Sequence, residues 1–208
     1  MSVGVLGNKI GMTQIFNENG DAIPITIIKA GPCIVTQIKT IEKHGYNAIQ
    51  IGYGQTSASK LTKPELGHLS NLGNPSLRYL KEFPVDEPSA YVVGQVIKIT
   101  EDLVGTLVKV SGKSIGKGFS GNQKRNNFKR GPMSHGSKNH RAPGSIGASA
   151  TPARVFPGKK MAGQHGNKMV TIINLKVLDI DMEQNLLILK GSIPGKPGNL
   201  LTIKSTTY

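Results

Sequence analysis

The sequence predicts a mainly β protein, a barrel or sandwich of short strands with a small helical insert and a long, irregular, basic one. Three observations lead there. Short apolar stretches separated by turn residues recur through 1–111 and 168–208. The chain carries 26 Gly and 12 Pro, which favour turns and loops over long helices. Between Asp102 and Asp179 there is no Asp or Glu, while Lys and Arg continue throughout.

The elements follow in chain order. Met12–Phe16 and Ala22–Lys29 flank Asn19-Gly20, a two-residue hairpin signal. Gly31-Pro32 turns the chain into Cys33–Thr40, which alternates apolar and polar, and Tyr46–Tyr53 follows. Residues 61–90 form the helical insert. Thr62 and Glu65 make a cap pair, so a helix should run to about Leu72, where Gly73-Asn74-Pro75 stops it. A second helical turn is expected near Ser76–Lys81, then a Pro-rich acidic loop over 83–90. Strands return at Ala90–Thr100, Thr106–Ser111, Met169–Asp181, Leu186–Lys190 and Leu200–Lys204, with DMEQN as a hairpin turn. The strand spacing suits a barrel or sandwich, and a barrel leaves no open edge. The domain reading is therefore a β domain from 1–111 and 168–208, and an extended basic segment over 112–167.

With 208 residues, the chain has room for one domain with its own core plus an appendage. Its net charge is +14, and its position says more than its size. The acid-free stretch from Leu103 to Leu178 holds fourteen Lys/Arg; the rest of the chain holds twelve Lys/Arg and twelve Asp/Glu. All the excess lies in one block, the pattern expected of a polyanion-binding protein. Cys33 is the single cysteine, in an apolar strand, so it reads as a buried structural thiol in a reducing compartment. No signal-peptide pattern opens the sequence and no apolar run nears the roughly 18 residues of a membrane span. A soluble compartment is expected, with no membrane partner.

Several motifs in the block imitate enzymes. Gly116-Lys117-Gly118-Phe119-Ser120-Gly121 fits G-x-G-x-x-G, but a dinucleotide site needs a helix there and an acid about 20 residues on. The following NQKRNNFKRGP is a poor helix, and the next acid is Asp179. Gly112-Lys113-Ser114 resembles the end of a phosphate-binding loop, but Leu107 stands where its first glycine belongs. His135, His140 and His165 have no Cys or carboxylate at metal-ligand spacing, so no metal or catalytic site is expected. The expected activity is binding, not catalysis, with no cofactor and no small-molecule substrate. Magnesium is expected only as a counterion of bound RNA.

Glycine and proline let the backbone approach a partner closely, and the spaced cations can meet successive phosphates. Twelve residues are candidate RNA contacts: Lys113, Lys117, Lys124, Arg125, Lys129, Arg130, Lys138, His140, Arg141, Arg154, Lys159 and Lys160. Phe119, Phe128 and Phe156 either stack on bases or anchor the segment. Varied, non-repeating sequence suits folded RNA, and the segment should take shape only on its partner. An architectural DNA-binding protein is the alternative, read from the same charge.

The words GNKIGMTQIF at 7–16, IPITII at 23–28, GYNAIQIGYG at 45–54, TKPELGHL at 62–69, GKGFSGNQKRNNF at 116–128, HRAPGSIG at 140–147 and GKKMAGQHGN at 158–167 occur in one order. In them the chain resembles the bacterial and plastid type of the large-subunit ribosomal protein L-three family, nearly end to end. That resemblance implies a translation-protein-type β-barrel and a long extension into large-subunit ribosomal RNA. It also implies a role early in assembly, neighbouring ribosomal proteins as partners, and an extension tip, here around Asn126–Ala153, approaching the peptidyl transferase centre. The place of work would be the ribosome of a plastid stroma or bacterial cytoplasm. Many bacterial members carry an N-methylated glutamine just before the Thr-Pro after GSIG; here Ala150 stands there, so no methylation is expected. Lys109 likewise stands where the family often has Asp or Asn.

Overall fold

The structure, a computed structural model, describes residues 4–72 and 76–206. The chain forms two compact units: Met1–Lys113 with Met169–Tyr208, and Ser114–Lys168.

In the first unit, six strands close into a barrel: β1 (Val5–Phe16), β2 (Ala22–Ala30), β7 (Leu107–Lys113), β10 (Met169–Asp181), β11 (Leu186–Lys190) and β12 (Leu200–Ser205). Their order is β1-β12-β7-β10-β11-β2, and every neighbouring pair is antiparallel. Period-two alternation sends one face inward, so Ile28, Val110, Val177, Leu187, Leu189 and Leu201 are fully buried in one cluster. Each such side chain contributes about 1.5–3 kcal/mol. The turns follow from their residues. Asn17 Oδ1 accepts from the Asn19 and Asp21 amides in the β1–β2 hairpin. Asp181 Oδ1 accepts from Glu183 and Gln184 between β10 and β11. Lys9 points inward from β1, and its ammonium donates to the carbonyls of Ile193 and Gly195 at 3.1 and 3.2 Å, tying down the loop before β12. Burial lowers its pKa.

Between β2 and β7 the chain builds a second sheet, order β5-β4-β3-β6, from β3 (Cys33–Lys39), β4 (Ala48–Gln55), β5 (Leu77–Pro84) and β6 (Val96–Ile97). Six successive residues of β4 are buried, so both its faces are covered. Its core joins Cys33, Val35, Ile49, Ile51 and Phe83 to Leu6 of β1. A four-residue helix, α1 (Ile41–His44), links β3 to β4. Helix α2 (Lys63–Leu69) starts where the cap pair predicts: the Glu65 carboxylate accepts from the Thr62 amide and hydroxyl, both at 2.8 Å. Gln50 Oε1 accepts from Thr36 Oγ1 at 2.8 Å and lies 2.9 Å from His68 Nε2. An amide oxygen only accepts, so His68 is the donor that holds α2 to the sheet.

The six-stranded barrel is of the kind the resemblance implies, and the strands of 33–97 form a separate sheet beside it. Three expectations need correction. The helical turn expected at Ser76–Lys81 is strand β5, because Leu77 is buried, Phe83 joins the core of that sheet, and the strand pairs with β4 along Leu77–Pro84. The strand expected over Ala90–Thr100 shrinks to Val96–Ile97, since a turn at Val92–Gln95 leaves Val92 and Val93 in solvent. Gly112 and Lys113, read as the start of the extension, complete β7 and pair with Val170 and Met169. The helix stop at Gly73-Asn74-Pro75 lies outside the described residues.

Candidate nucleic-acid interface

The unit Ser114–Lys168 begins as a narrow antiparallel ribbon. Ser114 donates to the Lys168 carbonyl at 2.8 Å, Lys117 to His165 at 2.9 Å, and His165 to Gly118 at 2.9 Å. Two-residue strands β8 (Phe119–Ser120) and β9 (Gly163–Gln164) continue it. A five-residue helix, α3 (Asn122–Asn126), then forms where the sequence predicts poor helicity. It closes on Asn127 in the left-handed conformation, which Asn tolerates better than most residues.

Polar side chains hold the rest. Arg125 Nη1 donates to the Met161 carbonyl at 2.6 Å, and Asn126 Nδ2 to the same oxygen at 3.1 Å. Gln123 Nε2 donates to the Arg141 carbonyl at 2.7 Å. His140 Nδ1 lies 2.8 Å from the Pro132 carbonyl, which can only accept, so the proton sits on Nδ1 and Nε2 is left for a partner. The buried residues of the unit are Ser120 and Asn122, both polar; none of its apolar side chains is buried. The segment read as extended and irregular has a ribbon, a helix and a polar cross-brace.

The charges lie outside this framework. The unit contains eleven Lys/Arg and no acid, so no internal carboxylate can neutralise them. Lys117, Lys124, Lys129, Arg130, Lys138, Arg141, Arg154, Lys159 and Lys160 are exposed. Arg125 and His140 are half-buried and serve the brace. Lys113, on β7, belongs to the other unit. Lys168 is exposed and was missed by sequence reasoning, although its place inside the acid-free run was signal enough. Phe119 is 80% exposed and Phe156 59%, so neither anchors the unit; Phe128 is half-buried.

The enzyme-like motifs resolve accordingly. Gly112 and Lys113 are strand, not loop. The glycines of GKGFSG lie along the ribbon up to the five-residue α3, with no acid nearby. Among the described residues no group of His, Cys, Asp or Glu could hold a metal ion. No helix among them is long and apolar enough to cross a membrane. Cys33 is buried beside the Leu6 carbonyl, and burial pushes its thiol up to about 11, which suits a structural role.

A sequence profile described as Ribosomal protein L3 matches residues 93–185, the stretch from β6 through the acid-free unit to β10. Whole-chain likeness goes further. The chain is 60% identical over 203 residues to "Large ribosomal subunit protein uL3c" of Phaeodactylum tricornutum, covering 98% of both chains. It is 60% identical to "Large ribosomal subunit protein uL3" of Trichormus variabilis, with 98% of this chain and 96% of the relative covered. Against the protein of that name from Acaryochloris marina it is 58% identical over 207 residues, 100% of this chain and 98% of the relative.

The chain belongs to the ribosomal protein L3 family. Membership makes it a structural ribosomal protein and not an enzyme, in agreement with the motifs above. The words that carried the resemblance fall at defined places in the structure: GNKIGMTQIF is most of β1, TKPELGHL is the capped helix α2, and GKGFSGNQKRNNF with GKKMAGQHGN forms the ribbon and brace.

Proposed function

We propose that the chain binds large-subunit ribosomal RNA through the unit Ser114–Lys168, as a structural component of the large subunit in a chloroplast or bacterial cytoplasm. The observation that carries this reading is eleven cations with no acid on a unit whose own order rests on polar bonds. Crowded phosphates need mobile or fixed positive charge before RNA helices can pack. Lysine and arginine every few residues provide it, and serine, asparagine and His140 Nε2 add neutral hydrogen bonds to phosphates and 2′-hydroxyls. Phe119 and Phe156 offer exposed rings for stacking. The reading includes early entry into subunit assembly, contact with neighbouring large-subunit proteins, and a tip near Asn126–Ala153 that approaches the peptidyl transferase centre without performing its chemistry. The protein needs no cofactor of its own; magnesium enters as counterion of the RNA.

The test is binding of large-subunit ribosomal RNA across salt, by the full protein and by a variant with 115–165 replaced by a short Gly-Ser linker. Such a linker closes easily because Lys113 and Met169 are paired across β7 and β10. Neutralising about eight phosphates gives a log–log slope of about −6 to −7, and the deletion flattens it. Equal slopes would move RNA binding to the β unit. Equal affinity of the full protein for plain duplex DNA would favour the architectural DNA-binding reading.

A further inference from the structure

A second group of cations lies on the β unit. Lys81 and Phe83 are two apart on β5 and share a face; Thr202 and Lys204 do the same on β12. The two pairs meet. Lys81 Nζ donates to Thr202 Oγ1 at 2.7 Å, and Lys204 Nζ sits 5.0 Å from the centre of the Phe83 ring. On β7, Lys109 stands directly opposite Lys204. All three lysines are half-buried. Among the described residues none of them has an ion-pair partner. Glu82 follows Lys81 in sequence, but it engages Lys39 at 3.0 Å and the Tyr46 hydroxyl at 2.8 Å.

Like charges directly opposite in a sheet destabilise it. Lys109 and Lys204 stand opposite each other, and Lys81 reaches the same face at Thr202, two residues from Lys204. Burial, and after it the charges of Lys109 and Lys81, lower the pKa of Lys204. The arrangement makes sense if an anion completes it. Lysine is a compact point charge with three donors and suits a phosphate oxygen approached from several sides.

We infer that Lys81, Lys109 and Lys204 form a phosphate site for the RNA backbone on the β unit, additional to the acid-free segment. This rests on the RNA-binding reading above. An acidic protein segment is the competing occupant.

Lys109→Gln in the full-length protein is the cleanest variant, because the Lys109 side chain makes no hydrogen bond or ion pair among the described residues. Two readouts move in opposite directions. The free protein gains thermal stability as the repulsion is relieved. Affinity for large-subunit ribosomal RNA falls roughly five- to tenfold at 0.1 M salt, and the salt slope drops by about one. Lys204→Gln behaves alike, Lys109→Arg retains affinity, and Lys43→Gln on α1 changes neither. If Lys109→Gln leaves slope and affinity unchanged while neutralising Lys124, Lys129 and Arg130 flattens the slope, the site is wrong and the RNA reading stands. If neither change alters the slope, both fall. If RNA binding is unchanged but a Glu-rich peptide binds and is lost on Lys109→Gln, the site belongs to a protein partner and the inference is overturned.

Discussion

Gly166 is the position where the ribbon at the base of the basic unit can least tolerate a side chain. Its φ is +69°, and a Cβ there would collide with the carbonyl oxygen of Ile115 and lie 3.0 Å from its carbonyl carbon. Gly118, on the facing strand, has φ +63° but open space around it. The pair therefore separates two costs. Gly118→Ala incurs only the left-handed conformation, about 1 kcal/mol. Gly166→Ala incurs that and must also push the Ile115 backbone aside. The push breaks one or two of the flanking bonds, Lys117 to His165 and Asn167 to Ser114, at 2.9 and 3.2 Å. At about 1 kcal/mol each, the total with the conformational cost is about 2–3 kcal/mol. Native-state hydrogen exchange of the Ser114, Lys117, His165 and Asn167 amides reads this locally. Protection should fall roughly 30- to 150-fold in Gly166→Ala and about fivefold in Gly118→Ala. Bound RNA should restore much of it, since a ligand that binds the ordered form stabilises that form. Equal effects of the two variants would refute the steric argument, and no effect of either would refute the ribbon.

Other expectations follow from single contacts. Arg125→Ala should raise exchange at Gly163 and Gln164, because the guanidinium braces Met161 and packs on Gly163, whereas Lys124→Ala should weaken RNA binding with no change in exchange. Cys33, buried and with its thiol raised to about 11, should resist a thiol reagent at pH 8 in the native protein and react fully in denaturant. The Glu65 carboxyl is held below its ordinary 4.5 by bonds from the Thr62 amide and hydroxyl. Its share of α2 stability is complete above that value and is lost as pH falls through the lower folded value, which a carbon-13 titration of Glu65 beside α2 amide shifts would follow. Intact mass of the ribosome-derived protein should show no methyl group on residues 145–155, where Ala150 replaces the modifiable amide.

Much of the β unit could be read from the sequence because its signals are local. Asn19-Gly20, the β-branched runs of β10 and β11, and the Thr62–Glu65 cap each act within a few residues. What escaped depends on distant partners. Residues 76–81 read as helix until β4 is known to lie beside them, and YVVGQVIKI reads as a full strand until its turn is seen to bond back to Val35. In the basic unit the exposed cations were legible by charge alone. The double role of Arg125 was not, since its acceptor lies 36 residues away. Nor was that of His140, held by a carbonyl eight residues back.

The absence of acids and the absence of apolar burial in Ser114–Lys168 have one physical origin. Fixing a residue costs about 1–2 kcal/mol of backbone entropy, and each polar bond returns only about 0.5–1.5 kcal/mol. A unit whose buried residues are Ser120 and Asn122 cannot gain the difference from the hydrophobic effect. Internal salt bridges would not supply it either: exposed pairs contribute about 0–1 kcal/mol, and each would cancel a charge the partner needs. The remaining source is the partner's own field. The polar brace narrows the conformations to be fixed, and on the proposed RNA-binding reading the uncompensated cations leave the rest of the ordering energy to come from phosphates. A single acid introduced at an exposed position such as Ala148 would therefore weaken RNA binding more than it stabilises the free protein.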